Sequence, residues 1–547
     1  MRSIYAGFLW LFSVGALQAC VAPAEQALAA HAPAPVHITL HPGPDTVRVE
    51  FRLPEPASSF TFRNSAADIR TDTWRTVDGR LGRTEINFSA PVDAFTIEMA
   101  PDLEDRDRIY PGLVRVGDGW LVYPRHLMPL DDNQAFDISY ALPAGWVLLG
   151  HRDTSGKLSP DGWKYFGPET QVERGPAIVA TDPATPAWLR QEILEAANES
   201  AALFTERLGA SLPSPATIII SFIADHPSSG MRGDVTAGAM MSVRFSGTNW
   251  AEWDEKASLQ VHEFLAHEIF HFWNGGLADS AENATRPWLH EGGASYAAML
   301  SAAAKQERLP GNEAFLETLN GNFSACQRAL GADDSLLTAQ LNAGNAPYAC
   351  GVILQWAWDA GLRSTSNGAS DVLTLWRDML ADAAANDGKY SVASAQRLAP
   401  PAASRGADIL LNASGEARWP DFAEAMTHYG ALLSVGRDGE SDSGVGLMHL
   451  LQQHCQGQYG FYNLEHRLRL DTGDRCGPLN GDSEFDTIAG LTFGNGEAVY
   501  DRLRELCASG GVVAFGWQGR TVAAAPCTKP LPAPTMFHAV TRAFGAP

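Results

Sequence analysis

Positive charge is scarce in this 547-residue chain: 40 Lys and Arg stand against 63 Asp and Glu, a formal net charge of −23. That balance repels phosphate backbones and anionic lipid surfaces, which excludes nucleic-acid binding as a main role. No apolar run reaches the roughly 18–20 residues of a membrane-spanning helix, so none is expected. The seven cysteines contain no Cys-x-x-Cys pair, which removes zinc-ribbon and thioredoxin-like sites. A repeat of fixed period is also missing, so solenoids and propellers are excluded. Charged residues make up only 19% and hydrophobic residues 45%, a composition that folds, with length for roughly three to four domains.

What is present begins with an export layout. Arg2 precedes an apolar stretch from Ile4 to Leu17, and Leu17-Gln18-Ala19-Cys20 closes a signal peptide over residues 1–20. Those last residues resemble a bacterial lipobox, which would make Cys20 the lipidated first residue of the mature chain; the alternative is plain cleavage near Ala19 or Ala24. Both readings place the protein outside the cytoplasm, in the periplasm or on the outer membrane of a bacterium, touching a membrane only through an anchor at Cys20. Six cysteines then remain, an even number that suits an oxidising compartment. Proximity pairs Cys326 with Cys350 and leaves two pairs among Cys455, Cys476, Cys507 and Cys527.

Residues 21–35 are rich in Ala and Pro and read as an extended linker. From Val36 short runs alternate with period 2, as in Val36, Ile38, Leu40 and Val47, Val49, Phe51, which predicts a β-rich N-terminal domain over 36–182. Helical spacing follows at 188–203, then a β-branched run Thr217–Phe222 and four helices near 256–273, 288–306, 347–361 and 370–384, within an α-rich domain over 183–390. Residues 391–547 form a mixed α/β C-terminal region with a charged loop at Gly436–Gly444, an amphipathic stretch at 498–506 and a strand at 512–515.

One segment carries chemistry. On a helix, His267 and His271 of His267-Glu-Ile-Phe-His271 lie four apart on one face and can both direct imidazole nitrogens at a single Zn2+ ion. Glu268 between them can take a proton from an attacking water. Leu265, Ile269 and Trp273 make the helix apolar on its other sides, and Gly275-Gly276 stops it. A catalytic zinc site needs a third protein ligand, and Glu291 in Trp288-Leu-His-Glu-Gly292 stands twenty positions after His271. His262 lies about 140° around the helix from His267 and reads as a surface or supporting residue. His290 faces another side of its helix and is not taken as a ligand.

These residues resemble the gluzincin zinc metallopeptidases, above all the glycyl-aminopeptidase-like family with its His-Glu-x-x-His-x-Trp-Asn form, matched by His267 to Asn274, and the related aminopeptidase N-like family. Trp288-Leu-His-Glu-Gly292 is similar to a segment both share, and Tyr348-Ala-Cys-Gly351 to their Tyr-x-x-Gly segment. The resemblance implies an α+β multidomain fold with a thermolysin-like catalytic domain, one Zn2+ ion, catalytic roles for Glu268 and Tyr348, a peptide or protein substrate, and a PDZ-like module from about residue 476. Gly238-Ala239-Met240-Met241 is similar to the substrate-binding strand of these enzymes, which assigns Gly238, Ala239 and Met240 to substrate. Met241 stands where those families carry a glutamate for the free amino group, so the alternatives are an aminopeptidase-related enzyme, an endopeptidase without amino-end recognition, or a noncatalytic peptide-binding lipoprotein.

Overall fold

The computed structural model describes residues 34–545, apart from 64–66, 103–109, 131–133, 151, 153–156, 226–229, 237–239, 306–312, 332, 343, 416, 438, 457–458, 465–466, 474, 482–483 and 535. The signal-peptide residues, Cys20 and the linker up to residue 33 therefore lie outside the described residues.

The alternating runs form a sheet with one dry face. Strand β1 (Val36–Pro42) buries Val36, Ile38 and Leu40, and β2 (Val47–Thr61) opens with buried Val47, Val49 and Phe51. They pair antiparallel with Leu40 opposite Val49, which keeps the apolar sets on one face. Strand β3 (Glu85–Met99) flanks β2, and its Phe95 ring stacks on Phe51 at 4.5 Å between centroids. A second sheet holds β4 (Leu113–Val116), β5 (Gly119–Val122), β7 (Trp146–Gly150) and β8 (Lys164–Pro168), while β6 (Phe136–Tyr140) joins the first sheet beside β1. Strand β5 is buried along its whole length. The reason is position: Trp120, Val122 and Phe166 pack into the first sheet's core, whereas Leu121, Val116 and Tyr165 pack against Ala180, Ile219 and Met240 of a third sheet. A sheet covered on both faces loses its polar alternation.

The third sheet runs β9 (Val172–Arg174), β10 (Ala177–Thr181), β11 (Ala216–Ile223), β13 (Met240–Ser246) and β12 (Gly230–Thr236), in that spatial order. Strands β10, β11 and β13 are parallel, and β12 is an antiparallel edge. Helix α1 (Ala187–Leu208) connects β10 to β11 and packs on α2 (Glu255–Asn274), with Phe204 edge-on to Phe270 at 5.2 Å. The start of α2 is capped by Asp254, whose side chain accepts from the Ala257 amide at 3.0 Å.

Helices α3 (Trp288–Lys305), α4 (Glu313–Ala329), α5 (Ala346–Thr365) and α6 (Val372–Ala385) complete the central unit. Helices α3 and α5 touch backbone to backbone: a Cβ at Gly351 would fall 2.0 Å from the Trp288 carbonyl oxygen and 2.6 Å from Gly292 Cα. Only glycine permits that approach, and it carries Tyr348 on the first turn of α5 toward α3. The Cys326–Cys350 disulfide ties α4 to the same turn.

Three shorter helices follow, α7 (Val392–Leu398), α8 (Pro401–Asn412) and α9 (Arg418–His428), leading into strand β14 (Leu432–Arg437). Strand β14 pairs with β17 (Met536–Arg542), near the far end of the chain. Asn320 and Gln327 of α4 bind β17 by accepting from the amides of Val540 and His538 and donating to their carbonyls, all between 2.6 and 2.9 Å. Between the two strands lies a separate unit containing α10 (Gly439–His454), α11 (Gly496–Ala508), β15 (Val512–Trp517) and β16 (Arg520–Pro526). Disulfides Cys455–Cys476 and Cys507–Cys527 brace it. Its core reaches back to Leu447, Leu450 and Leu451, upstream of residue 476. The charged segment expected as a loop is the start of helix α10 from Gly439, because apolar residues at i, i+3 and i+4 farther along give it a face to bury.

Candidate active site

Helix periodicity places His267 and His271 one turn apart, and the turn from Gly275 onward returns the chain so that Glu291, in the first turn of α3, faces both. The two Nε2 atoms are 3.1 Å apart, and Glu291 Oε2 lies 3.4 Å from one and 3.5 Å from the other. Among the described residues these three form the one group of His, Cys, Asp or Glu ligands close enough to share a metal ion.

Protons decide what that convergence means. Asn274 Nδ2 donates to the His290 carbonyl at 2.9 Å, which fixes the amide so that its Oδ1 accepts from His271 Nδ1 at 2.8 Å. With Nδ1 donating, the neutral His271 ring presents its Nε2 as a bare lone pair. His267 Nδ1 is held by Ser295 Oγ at 3.1 Å, which leaves its Nε2 to point the same way. Burial alone would raise the Glu291 carboxyl, but hydrogen bonds and charge from the two histidines outweigh it and hold the group well below the usual carboxylate range. Three ligand atoms thus meet at separations close to the ~3.3 Å edge of a tetrahedron with ligand bonds of about 2.0–2.1 Å. Two nitrogens and one oxygen suit Zn2+, and the outer bonds from Asn274 and Ser295 orient both rings.

Glu268 and Tyr348 line the same cleft, which has a volume of about 980 Å3. Burial pushes the Glu268 carboxyl up to about 7, with the His271 charge opposing and Glu291 and Asp234 adding to the rise. Burial, reinforced by Glu291 and Glu268, pushes the Tyr348 hydroxyl up to about 12, so it keeps its proton and can donate. Its ring centre is 5.9 Å from that of His267.

The segment expected to bind substrate is placed differently. Gly238 and Ala239 lie outside the described residues. Met240 is fully buried among Trp163, Tyr165 and Ile219, and Met241 is buried on the helix side of β13; neither lines the cleft. Strand β13 is flanked by β11 and β12, so both of its edges are paired, and its two faces are packed, one against Trp163 and Tyr165 and the other against the helices. The wall facing the metal ligands is the edge strand β12, through Gly233, Asp234, Val235 and Thr236. Gly233 allows the approach, because a Cβ there would meet Phe264 at 2.7 Å and Glu268 Cγ at 3.6 Å. Burial, with Arg232 opposing, raises the Asp234 carboxyl. Asp234 escaped the sequence reading because Gly230–Thr236 has only weak alternation; its position just before the alternating strand Met240–Ser246 was the signal that could have found it.

His262 is not on the surface. It is fully buried behind the metal-facing side, with Nε2 3.1 Å from Ser301 Oγ, which in turn lies 3.0 Å from Ser200 Oγ. His290 lines the cleft, stacked on the His271 ring at 4.4 Å. Its Nδ1 contacts the Asn274 carbonyl at 3.1 Å and the Tyr390 hydroxyl at 2.8 Å.

No protein-family model matches the chain, and no curated protein matches it in sequence. Among solved structures, an M1 zinc metallopeptidase of Deinococcus radiodurans is 17% identical, with 66% of this chain and 90% of that one covered at a TM-score of 0.33. Yeast LTA4 hydrolase is 14% identical, with 76% and 72% covered at 0.38. The aminopeptidase N family protein of Idiomarina loihiensis is 10% identical, with 93% of this chain and 98% of that chain covered at a TM-score of 0.55. Along nearly its whole length, the chain shares the fold of that aminopeptidase N family protein.

Proposed function

We propose that the chain is a zinc-dependent peptidase that removes residues from the free amino ends of peptides. The observation that carries this reading is the convergence of one ligand atom each from His267, His271 and Glu291 in the cleft that Glu268 and Tyr348 also line. His267, His271 and Glu291 would hold the zinc, which when bound supplies a Lewis acid that lowers the pKa of water and polarises a carbonyl. Glu268 takes the proton from the attacking water and returns it to the leaving amine. Tyr348 keeps its own proton and donates a hydrogen bond to the oxygen on which negative charge develops.

Asp234 supports amino-end recognition. It lines the cleft and raises the Glu268 carboxyl through its charge, which places a carboxylate beside the base where a substrate ammonium can be neutralised. Met241, whose side chain motivated the endopeptidase alternative, is buried and is not among the described residues that line the cleft, which supports Asp234 as the amino-end partner. Work in an oxidising compartment outside the cytoplasm is supported by the three disulfides formed by the six cysteines after Cys20.

The test is a pool of free and N-acetylated peptides given to the wild type, Glu268→Gln and Asp234→Asn. Cleavage from free amino ends only, absent in Glu268→Gln and weakened in KM by Asp234→Asn, is expected. Internal cuts in acetylated peptides would replace the aminopeptidase by an endopeptidase, and no cleavage by any form would remove the peptidase reading.

A further inference from the structure

The cleft is walled by two parts of the molecule with opposite charge. The central unit contributes three carboxylates, Asp234, Glu268 and Glu291. The β-rich unit contributes Gly150 and Arg152, and among the described residues Arg152 is the one lysine or arginine in the lining. Its guanidinium is held by a neutral partner: Nη2 donates to the Tyr140 hydroxyl at 2.6 Å, and the charged carbon lies 5.5 Å from the centre of the Tyr140 ring. Among the described residues no carboxylate lies within ion-pair distance of it. A guanidinium presents five N–H donors in a planar fork, and one bond to Tyr140 leaves most of them for a partner. An arginine whose charge is steadied but not neutralised, facing a cleft that is otherwise acidic, is a site for an anion.

We infer that Arg152 recognises a carboxylate of the bound substrate, and that the cleft therefore selects short peptides that bring a carboxylate to the Arg152 side. The inference rests on the peptidase reading and names its substrate class. The cleft volume of about 980 Å3 is that of a site for a small molecule. At about 3.3–3.6 Å per extended residue, a peptide of a few residues spans such a space. The carboxylate comes from one of two sources, the C-terminus of the peptide or an acidic side chain near it. Either forms a forked pair of charge-assisted hydrogen bonds with the guanidinium.

The experiment separates binding from turnover. In the Glu268→Gln protein, calorimetry measures binding of alanine tri-, tetra- and pentapeptides as free acids, as C-terminal amides, and as amides with glutamate in the last position. At least one free acid is expected to bind about tenfold more tightly than its amide, and Arg152→Gln in the same background should erase that difference. Glutamate amides that bind as weakly as alanine amides assign the C-terminus as the source; glutamate amides that bind like the free acids assign a side chain. Arg152→Lys, which keeps the charge and loses the fork, should retain part of the preference. An acid-to-amide ratio unchanged by Arg152→Gln overturns the inference, as does failure of every form to bind. Cleavage by the wild type is read separately, so loss of the Arg152 effect with cleavage intact leaves the peptidase reading standing.

Discussion

Helix α2 bears histidines on opposite faces, and their surroundings divide their roles. On the front, His267 and His271 have outer nitrogens held by Ser295 and Asn274, inner nitrogens turned toward each other, and Glu291 opposite. On the back, His262 is closed in by Ser301, with its Nδ1 3.9 Å from Glu192 Oε1 on α1, and among the described residues it belongs to no group of ligands that could share a metal ion. A pair of lone pairs with an anion between them asks for a cation. A single buried imidazole with one hydroxyl and one carboxylate beside it is a packing element. Spacing brings two histidines to one face, but the bonds of Ser295 and Asn274 to their outer nitrogens, with Glu291 opposite, make that face a ligand set.

If this division is right, substitutions on the two faces fail in different ways. The largest effect is expected for His271→Ala, which should lower zinc from near one per chain to near none by elemental analysis, with the fold retained in circular dichroism. Glu268→Gln should keep the metal and lose about 10³-fold in kcat, within the range for a general base. Tyr348→Phe should cost about 10²-fold in kcat with little change in KM, the mark of a donor that acts in the transition state. On the back, His262→Ala should keep zinc and kcat but cost about 2–3 kcal/mol in denaturant unfolding, from a cavity and the loss of the Ser301 bond. Zinc loss in that variant would break the distinction between the faces.

The mildest test is acid. Burial, helped by Lys305, lowers His262 to about 4. Burial also lowers His126 to about 4, against the Tyr110 carbonyl bond and with help from Arg70 and Arg125. Both stay neutral in the native protein down to about pH 4, whereas in the unfolded chain they protonate near 6.5. Between those values the unfolded state binds more protons, so stability falls as pH drops from about 6.5 to 4, by about 1.4 kcal/mol per pH unit for each histidine. His262→Ala should halve that part of the slope in melts across the window.

Much of the site was legible because its signals are local. The i, i+4 histidines, the stop at Gly275-Gly276 and the glutamate on the following helix need only helix geometry. The Cys326–Cys350 pairing followed from proximity, and Gly351 proved to be the point of contact that brings Tyr348 to α3. The cleft wall was not legible, because β12 and β13 are adjacent antiparallel strands and only long-range pairing decides which is the edge. A motif likeness placed substrate contacts at Met240, while the sheet order buries it and turns Asp234 outward. Helix α10 was hidden for a similar reason: Gly, Ser and Asp at its start favour a loop, and the burial of Leu447, Leu450 and Leu451 overrides them.

The central claim is that the front face of α2 and Glu291 hold one zinc ion. Anomalous diffraction at the zinc edge from crystals of the purified protein tests it most directly. One peak within bonding distance of His267 Nε2, His271 Nε2 and a Glu291 oxygen is the expected result; a protein grown with zinc whose peak lies elsewhere, or is missing from that position, would contradict it.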